Sequence, residues 1–221
     1  MKKTLFLSAA ACSMLALFSC GNAEKNHDEH NTTPKADSTA VATTQPEATP
    51  ETPPMDSAAM AKAWENYATP GDMQKWLASQ DGKWKGEMTS FEGGKAGAKE
   101  EMTQENKMVM GGRYQESTVK GKMMGMDFEG HSLMGYDNAK KKFVCTWIDN
   151  MGTGIMMTEG LYNEADKSLD MKGLMTDPST GKDTHVRQVY HFTDDKTQIM
   201  EMYCEMNGKE TKTMEIKLTK K

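Results

Sequence analysis

The chain has 221 residues, a net charge of −5 and 37% hydrophobic content. With the polar N-terminal part set aside, that length allows one domain of about 140 to 160 residues with a real core. The mild acidity excludes an ordinary nucleic-acid partner, which calls for a basic face. Only Arg113 and Arg187 are arginines, so strong bidentate cations are scarce, and the 22 methionines are an unusual load.

In chain order, Met1-Lys2-Lys3 is a basic start, and the apolar run from Leu5 to Phe18 follows it. The run is too short to span a bilayer and suits a signal-peptide core. It ends in Leu17-Phe18-Ser19-Cys20-Gly21, which resembles a bacterial lipobox, with a leucine three residues before the cysteine and a small residue just before it. The resemblance implies a signal peptide over 1–19, cleavage before Cys20, and acylation of the Cys20 thiol and new amino terminus. Several acyl chains, palmitate among them, would hold the protein firmly to membrane lipid. Gly21-Asn22 lacks the aspartate that would suggest inner-membrane retention. The expected location is therefore the outer membrane of a bacterial envelope, on the periplasmic side. Residues 20–56 hold five of the seven prolines and almost no large apolar residue. Such a segment cannot bury enough surface to offset ordering entropy, so it is expected to be a tether with a reach of about 30 Å. His27 and His30 flank Asp28-Glu29 in it, but nothing fixes their geometry for a metal.

Residues 57–81 predict two short helices that pack on the rest. Met60, Ala63, Trp64 and Tyr67 share a face of the first. Thr69-Pro70-Gly71-Asp72 reads as stop and restart, with Thr69 as N-cap, and Met73, Trp76 and Leu77 form the apolar stripe of the second. From Gly82 to Lys221 the pattern changes to period two. Met126, Phe128, Gly130, Ser132, Met134 and Tyr136 share one face; Phe143, Cys145, Trp147 and Asp149 share another. Turn signals recur about every dozen residues, among them Glu92-Gly93-Gly94-Lys95 and Asn207-Gly208. No helical stretch is long enough for a parallel crossover. The expectation is an all-β, up-and-down antiparallel barrel of about ten strands, closed because an open sheet would leave two bare edges.

Gly82-Lys83-Trp84 after a short helix resembles the opening of lipocalin-type barrels, the calycins. Gly112-Arg113-Tyr114, Gly135-Tyr136-Asp137, Thr146-Trp147-Ile148-Asp149 and Gly152-Thr153-Gly154 together resemble the bacterial family called domain of unknown function 1579, over roughly Asp72 to Lys220. The resemblance implies a calycin-like β-barrel and no particular activity. Lipocalin barrels pair the first-strand tryptophan with a late arginine; here the chain ends Leu218-Thr219-Lys220-Lys221, so a lysine is left for that place.

No Gly-x-Ser-x-Gly elbow, Cys-x-x-Cys or His-Glu-x-x-His is present. No cofactor is expected. Met123, Met124 and Met126 with His131, or Met200, Met202 and Met206 with Cys204, have the softness for Cu(I), but alternating methionines also read as flexible core filler. His185, Arg187, Val189 and His191 share one strand face, open to a haem or zinc reading, though a polar outer face accounts for them. Cys145 and Cys204 fall on non-neighbouring strands and are expected to be buried free thiols. Trp147, Phe143 and Tyr136 are the expected lining of a ligand site for a small apolar molecule. Asp149 stands at its mouth, and Arg113 or Arg187 is the candidate partner for that carboxylate. Two other readings stand beside this one. One is a hydrolase or other enzyme using Asp149 or Glu159 with His185; the other is a packed barrel that binds proteins through its exterior.

Overall fold

The period-two stretches become strands. In the computed structural model, residues 56–206 and 208–221 are described. The expected signal peptide, Cys20, the expected tether, His27 and His30 therefore lie outside the described residues, as does Asn207 of the last turn. Two helices lead, α1 Ser57–Ala68 and α2 Asp72–Ser79. Ten strands follow: β1 Gly82–Glu92, β2 Lys95–Val109, β3 Tyr114–Met123, β4 Met126–Asp137, β5 Lys142–Asp149, β6 Met156–Asn163, β7 Ser168–Asp177, β8 Lys182–Asp194, β9 Thr197–Met206 and β10 Lys209–Lys220. Each pairs antiparallel with its sequence neighbours, and β1 pairs with β10, so the sheet closes into a barrel. Closure leaves no bare edge.

Up-and-down order puts alternate turns at alternate ends. The turns β2–β3, β4–β5, β6–β7 and β8–β9 lie at the end that α2 covers. The other five connections ring the opposite end. The β3–β4 turn is Met124-Gly125, with Met124 at φ +51° and Gly125 at φ +80°.

The inward faces form two clusters. Phe143, Cys145, Leu169 and Met171 are buried toward the covered end, with Met73, Trp76, Tyr136, Tyr162, Tyr190 and Phe192 packed on them. Met88, Met102, Val119 and Phe128 are buried toward the other end, with Met123, Trp147, Met151, Met214 and Ile216 around them.

Helix α2 seats Leu77 in the covered end, and buried amides tie it down. Gln115 Nε2 donates to Leu77 O and to Asp81 Oδ1, both at 2.8 Å. Asn106 Nδ2 donates to Gln80 O at 3.0 Å, and Gln198 Nε2 to Gln80 Oε1 at 2.6 Å. Gln74 Nε2 donates to Tyr136 O at 3.0 Å. The cap of α2 is Gly71, whose N–H donates to Gln74 Oε1 at 2.8 Å. Thr69 is not the cap expected of it; its hydroxyl turns back to Glu65 O at 2.7 Å and closes α1. Helix α1 also differs from expectation, since it buries no residue. Met60, Trp64 and Tyr67 are 50%, 65% and 48% exposed, and Asn138 Nδ2 donates to Asn66 O, Tyr67 O and Thr69 O at the helix's C-terminal end.

Lys220 takes the late-cation place. Its Nζ lies 5.3 Å from the centroid of the Trp84 ring and donates to Ser79 O at 3.0 Å. Trp84 itself is fully buried, and its Nε1 donates to Gln80 O at 3.1 Å.

Outside, the wall is tiled with cross-strand ion pairs such as Lys85–Glu101, Lys120–Glu129, Lys142–Glu159 and Arg187–Asp170. A wall facing lipid would be apolar. Among the described residues no helix is long and apolar enough to cross a membrane.

Candidate functional site

The uncovered end is where inward side chains have no helix over them. The β4 and β5 strands build its most specific part. Gly130 pairs with Asp149, and Ser132 with Trp147. A Cβ on Gly130 would lie 2.4 Å from Trp147 Cζ2, so the indole rests directly on the glycine backbone. Only glycine leaves that room. Phe128 stacks near the same ring, with centroids 6.3 Å apart and planes at 22°.

Asp149 fixes the indole. Trp147 Nε1 donates to Asp149 Oδ2 at 2.7 Å, and Met151 N–H donates to Asp149 Oδ1 at 2.9 Å. Asn150 then pins the turn to β4: its Oδ1 accepts from Glu129 N–H at 3.0 Å and its Nδ2 donates to Asp127 O at 2.9 Å. The motif glycine Gly135 behaves alike at the covered end, on the outer surface. A Cβ on Gly135 would lie 2.7 Å from Tyr114 Cδ1, so that ring covers the glycine from outside. Of the motif residues, Tyr136, Trp147 and Asp149 face inward, Tyr136 toward the covered end and Trp147 and Asp149 toward the uncovered one.

Around them the lumen is lined by sulfur. Met88 and Met102 are buried, while Met123, Met151 and Met214 are only partly so. Met202 and Met214 are cross-strand partners, and Cys204 follows two residues on along β9; all three are half-buried. Thioethers reorient at little cost and fit irregular apolar partners. Neither cysteine is bridged. Burial pushes the Cys145 thiol up to about 12, against a hydrogen bond with Ser132 that lowers it, so it stays protonated and inert. Cys204 is half-buried rather than fully buried; burial raises it too, against its contact with the Thr213 hydroxyl.

The remaining expected site residues are scattered. Phe143 is fully buried, and Tyr136 packs edge-on against it at 5.0 Å; both belong to the covered end, under Trp76. Arg113 is exposed on the β2–β3 turn, where Nη1 donates to Met110 O at 3.1 Å. Arg187 lies on the outer wall. Its Nε and Nη2 each donate to Asp170 at 2.9 Å, its Nη1 to Glu210 at 3.3 Å, and it sits 5.6 Å over the Tyr203 ring. Neither arginine pairs with Asp149, correcting the expected partner; the indole N–H has that place. Missing from the expected lining were Phe128, Met151 and Met214. Period two put Phe128 on the right face, but only closure showed which inward residues meet at one end.

Asp149, Glu159 and His185 do not form a catalytic group. Asp149 faces the lumen, whereas Glu159 and His185 are on the outer wall, on β6 and β8 with β7 between them. Both border a surface hollow of about 550 Å³ with Lys172 and Arg187, and Glu159 is held by Lys142 at 2.7 Å, which lowers its pKa. A smaller hollow of about 330 Å³ outside the other end is bordered by Glu129, His131, Ile148, Asp149 and Asn150. His131, His185 and His191 all face outward. Among the described residues no group of three or more His, Cys, Asp or Glu is placed to hold a metal ion. The first methionine set is split, with Met123 inside, His131 outside, and Met124 and Met126 exposed. In the second, Met206 is exposed.

A closed up-and-down β-barrel with one helix-covered end and one thioether-lined end is the class these features define. The family model for the protein of unknown function DUF1579 matches residues 69–220, and the chain belongs to that family. Among solved structures it is similar to Rv2717c from M. tuberculosis, at 10% identity over 69% of this chain and 99% of that one, with a TM-score of 0.54. At that identity the likeness shows the fold alone. No curated protein matches the chain.

Proposed function

We propose that this is an envelope lipoprotein, anchored through acylated Cys20, whose barrel binds a small apolar ligand at the uncovered end. One observation carries the binding part. Trp147, Met123, Met151, Met202, Cys204 and Met214 point inward yet keep partial exposure, and no described helix covers them. An apolar surface that remains partly wet inside a closed wall gains by taking up an apolar guest. The thioethers let the lining adapt to guests of different shape. The anchor rests on the Leu17-to-Gly21 motif, which would place the barrel on the periplasmic side of the outer membrane.

Native mass spectrometry of protein purified without detergent tests the binding part. A bound mass that dissociates on denaturation is the expected result. Protein that is ligand-free as purified, and whose Trp147 fluorescence does not respond to any apolar probe, would leave a solid barrel whose exterior does the work. The anchor is tested separately: Cys20→Ser is expected to abolish acylation and membrane partitioning, and recovery of the variant in membranes at the wild-type level would overturn it.

A further inference from the structure

The partly buried ionisable side chains on the luminal face of the uncovered end are of one sign. Asp149 is half-buried on the luminal face of β5. Both of its hydrogen-bond donors, the Trp147 indole and the Met151 amide, are neutral. Its charge is therefore solvated but not cancelled, and a carboxylate with two acceptors used has further lone pairs to offer. Glu100 is the second. It pairs directly with Met88, whose side chain is buried in the lumen, and residues directly opposite in an antiparallel pair share a face. Glu100 is half-buried, and its carboxylate makes no ion pair or side-chain hydrogen bond among the described residues. This contrasts with the outer wall, where Glu87, Glu101, Glu129 and Glu159 all have lysine partners. The basic residues of luminal parity in the strands of this end, Lys95, Lys182 and Lys209, are exposed at the strand tips. The two carboxylates flank one apolar cluster that also holds an indole stacked near a phenyl ring.

Carboxylates beside an aromatic face, in a lining of low polarity, suit one chemical class. From this we infer that the ligand is an amphiphile with a cationic ammonium head, a primary or quaternary amine on an apolar tail. The tail would lie among the thioethers and the head between Glu100, Asp149 and the Trp147 face. An ammonium gains from both carboxylate and indole, most where water is excluded. An anionic head would meet two like charges. This inference rests on the uncovered end being the ligand site.

Isothermal titration calorimetry separates the two claims. The full-length chain carrying Cys20→Ser, purified without detergent, is titrated with dodecyltrimethylammonium, dodecanoate and dodecyl maltoside, each below its micellar concentration. The cationic probe should bind about tenfold more tightly than the neutral one at low salt, and the anionic probe more weakly than either. In the Glu100→Gln/Asp149→Asn variant that preference should collapse, so that the cationic and neutral probes bind about equally. Glu100→Gln alone, which touches no hydrogen bond of the wall, should lose part of it. Equal affinity for all three heads, an anionic preference, or a cationic preference that survives the double substitution would overturn the ammonium head and leave the apolar site standing. Binding of none of them would overturn both.

Discussion

The two ends of this barrel are finished by different physics. At the covered end, buried side-chain amides of Asn106, Gln115 and Gln198 satisfy carbonyls and side chains of α2 and the segment after it, and the Gln74 amide of α2 donates to Tyr136 O on β4. Such a network is directional, and each amide displaced would leave a buried polar group without a partner. At the uncovered end the contacts are mostly thioether and aromatic, with the Trp147–Asp149–Met151 link and the Asn150 bonds to β4 as directional features. The first arrangement specifies a single packing; the second tolerates several. A barrel that must hold its shape and also admit a guest can divide the two tasks between its ends.

The largest expected effect tests that division directly. Trp84→Ala removes a fully buried indole that is tied to Gln80, and should cost about 3–5 kcal/mol in urea unfolding. Trp147→Ala should cost about half as much, because part of that ring faces open space. Equal losses would mean that both ends are packed to the same density, and the contrast would be gone.

Next in size is Gly130→Ala. Its new methyl would occupy the place of the Trp147 ring, 2.4 Å from Cζ2, and should cost about 1–3 kcal/mol. The indole should lose its fixed environment, seen as a weaker near-ultraviolet circular dichroism signal. An unchanged spectrum would show that the ring is not held against the glycine.

The outer wall supplies a control belonging to neither end. The Lys212 ammonium, hydrogen-bonded to Glu201, holds that carboxyl below 4.5, and the Tyr203 hydroxyl assists. Between the folded value and 4.5 the unfolded chain binds more protons than the native one. The pair's contribution is therefore complete above pH 4.5 and is lost as pH falls through the folded value. Glu201→Gln should be less stable than wild type at neutral pH by about 1 kcal/mol, with the gap closing in acid. A gap independent of pH would show that the pair contributes through packing alone.

The smallest effect concerns the covered end. Lys220→Arg should stabilise by about 0.5 kcal/mol, because a guanidinium stacks better on the Trp84 indole. A loss in thermal midpoint would mean that the lysine's bond to Ser79 O outweighs stacking.

Much of this architecture was legible in the residues. Period two from Gly82 onward sorted Phe128 with Tyr136, and Phe143 with Trp147, to shared faces, because a pleated strand alternates its side chains whatever its neighbours are. Short turns without a crossover helix left only an up-and-down sheet, and the cost of bare edges called for closure. The strands holding Cys145 and Cys204 were separable by counting. The residues alone did not settle which inward side chains share an end. That depends on strand tilt and on where β1 meets β10, which are relations between strands and not properties of any one. The partners of Arg187 and Asp149 were equally out of reach. Asp170 and Glu210 are near Arg187 only because β7, β8 and β10 are brought together, and the donor that took Asp149 lies two residues away on the same strand. Helix α1 shows the reverse failure. Its apolar stripe predicted burial, yet none of its residues is buried, and α2 holds the barrel end through Leu77 and the amides around it.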